Sequence, residues 1–276
     1  MNPSRHAVIV LLILLALCTF GQTVAGADLI EPHPGATINW TRGTAQARGA
    51  NLAPIADRNE ALAQARLAAQ KNLIDALMAI RVDADRRAGD MVSQNKVLKT
   101  RLDQIVRQSA VVAEQVFTGG LAEIMVEVPL TGAVSQLLLP DGIRQLDSIK
   151  TVGAPVRGQD NGKQVFNRLV VDARGLDIKP ALSPRILDET GRQVYGPAFI
   201  SRDFAVERGV SGYVRYHPQV AQPLGTEDKA LMVKALRMQG AGATDLVISM
   251  ADAARLHSAS EHLTFLKQCR VVIVTD

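Results

Sequence analysis

Residues 58–80, RNEALAQARLAAQKNLIDALMAI, constrain the fold of this chain more than any other stretch. Leu62, Ala65, Ala69, Leu73, Ala76, Leu77 and Ile80 recur at steps of three and four, which is one face of an α-helix. Gln64, Lys71 and Asp75 fall elsewhere on the wheel and can face water. Asp57 followed by Glu60 has the spacing of an N-cap with its reciprocal acid. The apolar stripe is largely alanine, so a partner surface can approach closely. A helix of this kind is expected to lie flat on a sheet.

The flanking residues supply that sheet. Residues 28–35 are proline-rich and read as an extended lead-in. In residues 37–49, Ile38 and Trp40 point one way and Asn39 and Thr41 the other, so a strand begins there. Trp40, the sole tryptophan, reads as a core anchor. Residues 91–109 form a second helix with Leu98, Leu102, Ile105 and Val106 as its stripe. Lys96, Lys99, Arg101 and Arg107 make its outer face basic, either a solvated face or a partner-binding one. Residues 110–117 and 121–130 are strands joined by a Gly119-Gly120 turn, with Ala122, Ile124, Val126, Val128 and Leu130 facing the core and Glu123 and Glu127 facing out. The first unit, residues 28–140, is therefore expected to be α+β. An antiparallel sheet is covered by two helices in the order β-α-α-β-β.

Residues 141–162 carry glycine, proline and polar side chains and read as a linker. A second, mixed α/β unit occupies residues 163–276. Its expected elements are a strand at 166–172, a hairpin over 184–195 and strand-like residues at 204–216. A helix over 226–238 follows, with Leu231, Ala235 and Met238 on one stripe. A strand at 246–249, a broken helix over 251–268 and a central closing strand at 270–275 complete the unit.

Residues 1–27 read as a signal peptide. Arg5 gives a thin positive region, residues 7–20 are apolar, and Ala25-Gly26-Ala27 is a small-x-small cleavage site that leaves Asp28 first. The apolar run is short for a membrane span, which takes ~20 residues. A lipid anchor would use Cys18, but Leu17 before it is bulkier than the residue expected there. Cleavage leaves Cys269 alone, without an internal disulfide partner. The net charge of +4 is spread along the chain, with no basic block interleaved with aromatics, which argues against nucleic-acid binding.

The chain has no GxSxG elbow, P-loop or HExxH motif. Gly240-x-Gly242 lacks the third glycine of a dinucleotide fingerprint. His257 and His262 are five residues apart, a poor helical spacing for a metal. Asp172 and Arg174, at a strand end, are the most suggestive polar pair. No catalytic residue, cofactor or metal is expected.

The order of helix, basic helix, IVRQSAVV and the hairpin AEQVFTGGLAEIMVEVPL resembles the lipoprotein-20 family and the related N-terminal domain of flagellar assembly protein T. Residues such as Ala65, Arg66, Ala69, Asn72 and Leu73 carry the likeness, which spans about residues 38–130. The stretch VVDARGLDIKPALSPRILDETGRQVYG is similar to the C-terminal portion of envelope proteins with such an N-terminal domain. The resemblance implies a non-enzymatic exported protein, in some relatives part of a ring around the flagellar motor, with envelope or basal-body proteins as partners. A small-molecule or peptidoglycan-fragment site between the two units is the alternative.

Overall fold

The computed structural model describes residues 27–143, 166–216, 230–258 and 260–276. The cleavage residue Ala25, Cys18 and nearly all of the expected linker lie outside them. The fold is α+β, with a five-stranded antiparallel sheet and then a seven-stranded mixed one.

The first sheet has the spatial order β1 (Ile30–His33), β2 (Ala36–Asn39), β3 (Thr44–Ala50), β5 (Ala122–Pro129) and β4 (Ala110–Val116). The proline-rich lead-in is itself a strand, turned at Gly35, and residues 37–49 are two strands turned at Gly43; both glycines have positive φ. Three strands therefore precede the helix, where one was expected. Helix α1 (Arg58–Ala79) lies across β3 and β5 and buries Ala61, Ala65, Ala69, Leu73, Ala76 and Leu77. Its approach is close enough that a Cβ on Gly49 would stand 2.0 Å from the Ala69 nitrogen and 2.4 Å from the Ala65 oxygen. Asp57 caps it, its carboxylate accepting from the N–H groups of Asn59 and Glu60 at 2.7 and 3.0 Å.

The expected second helix is two: α2 (Ala88–Gln94) and α3 (Lys96–Arg107). Asn95 divides them, ending one and capping the next with its side-chain oxygen on the N–H groups of Val97 and Leu98. On β5, Ala122, Ile124, Val126 and Val128 are buried beneath α1. Glu123 and Glu127 lie on the solvated face beside Arg48 and Gln46. After β5 a turn with Gly132 at positive φ leads into the short helix α4 (Ser135–Leu138).

The second sheet runs β8 (Gln193–Tyr195), β7 (Ile186–Leu187), β11 (Asp245–Ile248), β10 (Ala230–Gln239), β6 (Arg168–Asp172), β12 (Val271–Thr275), β9 (Gly212–Arg215). The strands β10, β6, β12 and β9 are parallel neighbours. Helices α5 (Arg202–Arg208), α6 (Met250–His257) and α7 (Ser260–Lys267) complete the unit. Two expectations fail here. Helix α5 takes the first five residues, 204–208, of the stretch 204–216 expected to be strand-like. The expected helix over 226–238 is, in its described part, strand β10. Leu231, Val233 and Ala235 alternate inward against exposed Met232, Lys234 and Leu236, a period of two. The hairpin β7–β8 and the closing strand β12, an interior strand, stand as expected.

A single apolar cluster runs through both units. At the junction the N–H groups of Leu182 and Ser183 donate to the carbonyls of Arg81 and Val82 at 3.0 and 2.8 Å. The rings of Trp40 and Tyr213 meet edge-on at 5.7 Å.

Candidate functional site: an open sheet edge and an interdomain cleft

Among the described residues, two places stand out as candidates for receiving another molecule. The first is β4, the edge of the antiparallel sheet. All seven of its residues are exposed, including Val111, Val112 and Val116, and Phe117 and Leu121 continue the apolar strip. An edge strand presents unpaired N–H and C=O groups, and proteins normally blunt it with lysine, proline or a cover. Among the described residues only a bulge between Val111 and Ala113 does so. The signal was in the sequence: AVVAEQVF is apolar at both parities, which one buried face does not require.

The second is a cavity of about 550 Å³ between the units. One wall is Leu29, Ile30, Glu31, Pro32, Trp40 and Arg81. The facing wall is the carboxyl ends of the parallel strands β9 and β12, Arg215 and Thr275, with Asp276 and the loop after β6. The Glu31 carboxylate fixes the first wall, accepting from Trp40 Nε1 at 2.9 Å and from the Arg81 guanidinium at 3.0 Å. On the other wall Arg215 Nε donates to the Asp276 carbonyl at 3.1 Å, and the Gly175 N–H to the Asp276 carboxylate at 2.7 Å. The Thr275 hydroxyl, in a residue 5 % exposed, has no hydrogen-bond partner among the described residues. The residues of this cleft are far apart in sequence, and no local motif announces them.

The remaining candidates are dispersed. Lys96, Lys99, Arg101 and Arg107 are exposed on α3, as a basic outer face requires. Asp172 and Arg174 form a two-bonded ion pair, 2.6 and 2.8 Å, with Arg174 stacked on Tyr216 at 4.2 Å. The Arg174 hydrogen bond holds the Asp172 carboxyl below its ordinary pKa. This is a strand-end clamp near the cleft but not in its lining. The Ala27 carbonyl accepts from the Arg215 N–H at 3.3 Å, and Asp28 pairs with Arg42 at 2.8 Å. Cys269 is buried, and burial pushes its thiol up to about 11, as befits a packed core residue. His257 lies against Phe199. Among the described residues no group of three His, Cys, Asp or Glu could hold a metal. No described helix is long and apolar enough to cross a membrane.

The second sheet and its helices can be compared as a unit. Residues 168–276 match the family model of the second domain of Treponema pallidum Tp0624. No curated protein matches the chain. The Tp0624-like portion begins at β6 and ends on β12, so it holds one wall of the cleft while the five-stranded sheet holds the other. The match does not reach the first unit, and nothing in it bears out the lipoprotein-20 resemblance.

Proposed function

We propose that the protein is a non-enzymatic exported protein of the periplasm with a structural or assembly role in the cell envelope. The observation that carries this reading is β4, an exposed and largely apolar strand whose outer edge is unpaired among the described residues. Such an edge gains main-chain hydrogen bonds by accepting a strand, and its side chains add specificity. The basic face of α3 precedes β4 directly and offers a second contact surface to an acidic partner. The likeness of residues 38–130 to the lipoprotein-20 and flagellar assembly protein T domains makes the flagellar basal body the first partner to test. The test is affinity capture of the tagged mature protein from crosslinked envelope fractions. Motor or outer-membrane ring components are expected, and reversing the charge of Lys96, Lys99, Arg101 and Arg107 is expected to reduce their recovery. A freely soluble protein that brings down nothing above background overturns the reading.

The cleft favours a second reading, a binding module for a small molecule or a peptidoglycan fragment. Its volume of about 550 Å³ suits such a ligand, and Arg215, Arg81 and Lys179 in its lining supply polar groups. Cell-wall fragments and metabolites screened by thermal shift would show a stabilising compound, with the shift lost in Arg215→Ala. A screen without a hit overturns it.

A further inference from the structure

The two edges of the first sheet are unlike. β1 carries Pro32 and forms a wall of the cleft. β4 has neither proline nor lysine, and Val111, Val112 and Val116 are 41, 46 and 38 % exposed. Its hydrogen-bond register is fixed by its partner. The Phe117 N–H donates to the Leu121 carbonyl at 2.8 Å, and Glu114 and Val116 stand opposite Ile124 and Ala122. Bonded and non-bonded pairs alternate along an antiparallel ladder. Gln115 and Ala113 therefore turn their N–H and C=O groups toward β5, and Glu114 and Val116 turn theirs outward. The one charge on the strand, Glu114, is answered within its own chain by Arg58 at 3.2 Å. With Glu114 the one charge, a copy of the strip meets repulsion only in the register that sets Glu114 against Glu114.

We propose that the strand which fills this edge is β4 of a second copy of this chain, antiparallel about a twofold axis at Gln115. The inference rests on the assembly reading above and names the occupant of the same edge. Outward groups must meet outward groups, and Val112 is the extra residue of the bulge, so Glu114 can stand opposite Glu114, Val116 or Thr118 of the second copy. The first sets two carboxylates against each other, which destabilises an antiparallel pair. The third carries the ladder into the turn that begins at Thr118. The second pairs Glu114 with Val116 twice, Ala113 with Phe117 twice, and Gln115 with itself on the solvated face. Pro32 blunts the far edge of each sheet, so the assembly closes at two. Strand pairing alone buries less than a standard interface of roughly 1,600 Å², so the dimer is expected to dissociate on dilution.

Sedimentation of the mature chain over a concentration series, with two substitutions at exposed Gln115, tests this. The wild type is expected to dimerise. Gln115→Cys is expected to form a disulfide dimer under mild oxidation, because residues of a non-bonded antiparallel pair have Cα atoms about 4.5 Å apart, within disulfide reach. Buried Cys269 does not compete. Gln115→Lys, which sets two ammonium groups face to face, is expected to give a monomer with an unchanged circular dichroism spectrum and, at dilutions where the wild type is also monomeric, an unchanged Tm. A wild type that stays monomeric at the highest concentration overturns the proposal. So does a dimer indifferent to Gln115→Lys, or a cross-link through Val116→Cys and not through Gln115→Cys. A monomer that still captures envelope components removes the second copy and keeps the assembly reading. A Gln115-linked dimer that captures none does the reverse.

Discussion

At Gly49 the reason for the residue is distance. The helix backbone of α1 occupies the space a side chain would need, with Ala69 N and Ala65 O both within 2.4 Å of a built Cβ. Gly49→Ala is expected to lower the stability of the chain by about 1–3 kcal/mol or more, the cost of overpacking against atoms that cannot turn aside, as measured by urea denaturation. Ala65 and Ala69 read correctly as a close-packing stripe, because alanine at helical spacing has few other uses. Gly49 was invisible as their counterpart, since a lone glycine in a strand-like run has no period to betray it. Polar residues were harder still. Asp188 is fully buried, and its carboxyl is held below its ordinary pKa by the Thr190 hydroxyl, then by Arg192 and backbone N–H groups. Asp172 is lowered by Arg174. A carboxyl with a folded pKa below its unfolded value, about 4, contributes stability above that pH and loses it as pH falls through the folded value. Stability is therefore expected to be level through neutral pH and to fall below pH about 4, in the titration range of both carboxyls. Thr190→Val is expected to make that fall shallower, as read from denaturation midpoints across the acid range.

Among the elements, α1 shows how much a long period conveys and β10 how little a short one does. The stripe of α1 repeats over six turns and no strand could use it. In β10, ALMVKALRMQ, apolar residues satisfy both periods: Leu231, Ala235 and Met238 at helical spacing, Leu231, Val233 and Ala235 at strand spacing. Alanine, leucine, methionine and lysine favour helix locally. Pairing with β6 on one side and β11 on the other overrides that preference; β11 is the other arm of a hairpin, but β6 lies about sixty residues away in the chain. The α2–α3 break at Asn95 was missed for a related reason. The stripe of α3 continues past it, but Asn95 serves better as a cap than as a helical residue. Caps are also where an element can be loosened without touching the core. Asp57→Ala is expected to cost about 1 kcal/mol, since it leaves two α1 N–H groups without their acceptor. Asp57→Asn should restore most of that loss in the same denaturation assay.

For the whole molecule the sequence suggested two units, and the cleft between them could be imagined but not furnished. Its walls come from β1, from Trp40, from Arg81 and from strand ends near the C-terminus. Such a set assembles only when the chain is folded. Trp40 stands at that junction, its ring against Tyr213 and its Nε1 on Glu31. The apolar cluster is continuous across both units. Fluorescence of this one tryptophan and far-ultraviolet circular dichroism are therefore expected to report one coincident transition in denaturant. Two separated transitions would mean that the units unfold independently. The Tp0624-like portion matches as a self-contained stretch of sequence, yet it is not self-contained in space. A Cβ on Gly242 would stand 2.4 Å from the Ala84 carbonyl, and Ala84 belongs to the first unit. A recombination event that transplants residues 168–276 onto a foreign N-terminal unit would have to carry along a loop able to lie against that bare backbone. The two halves are fitted to each other at this contact, and they can be exchanged between lineages only as a pair or after mutual repair.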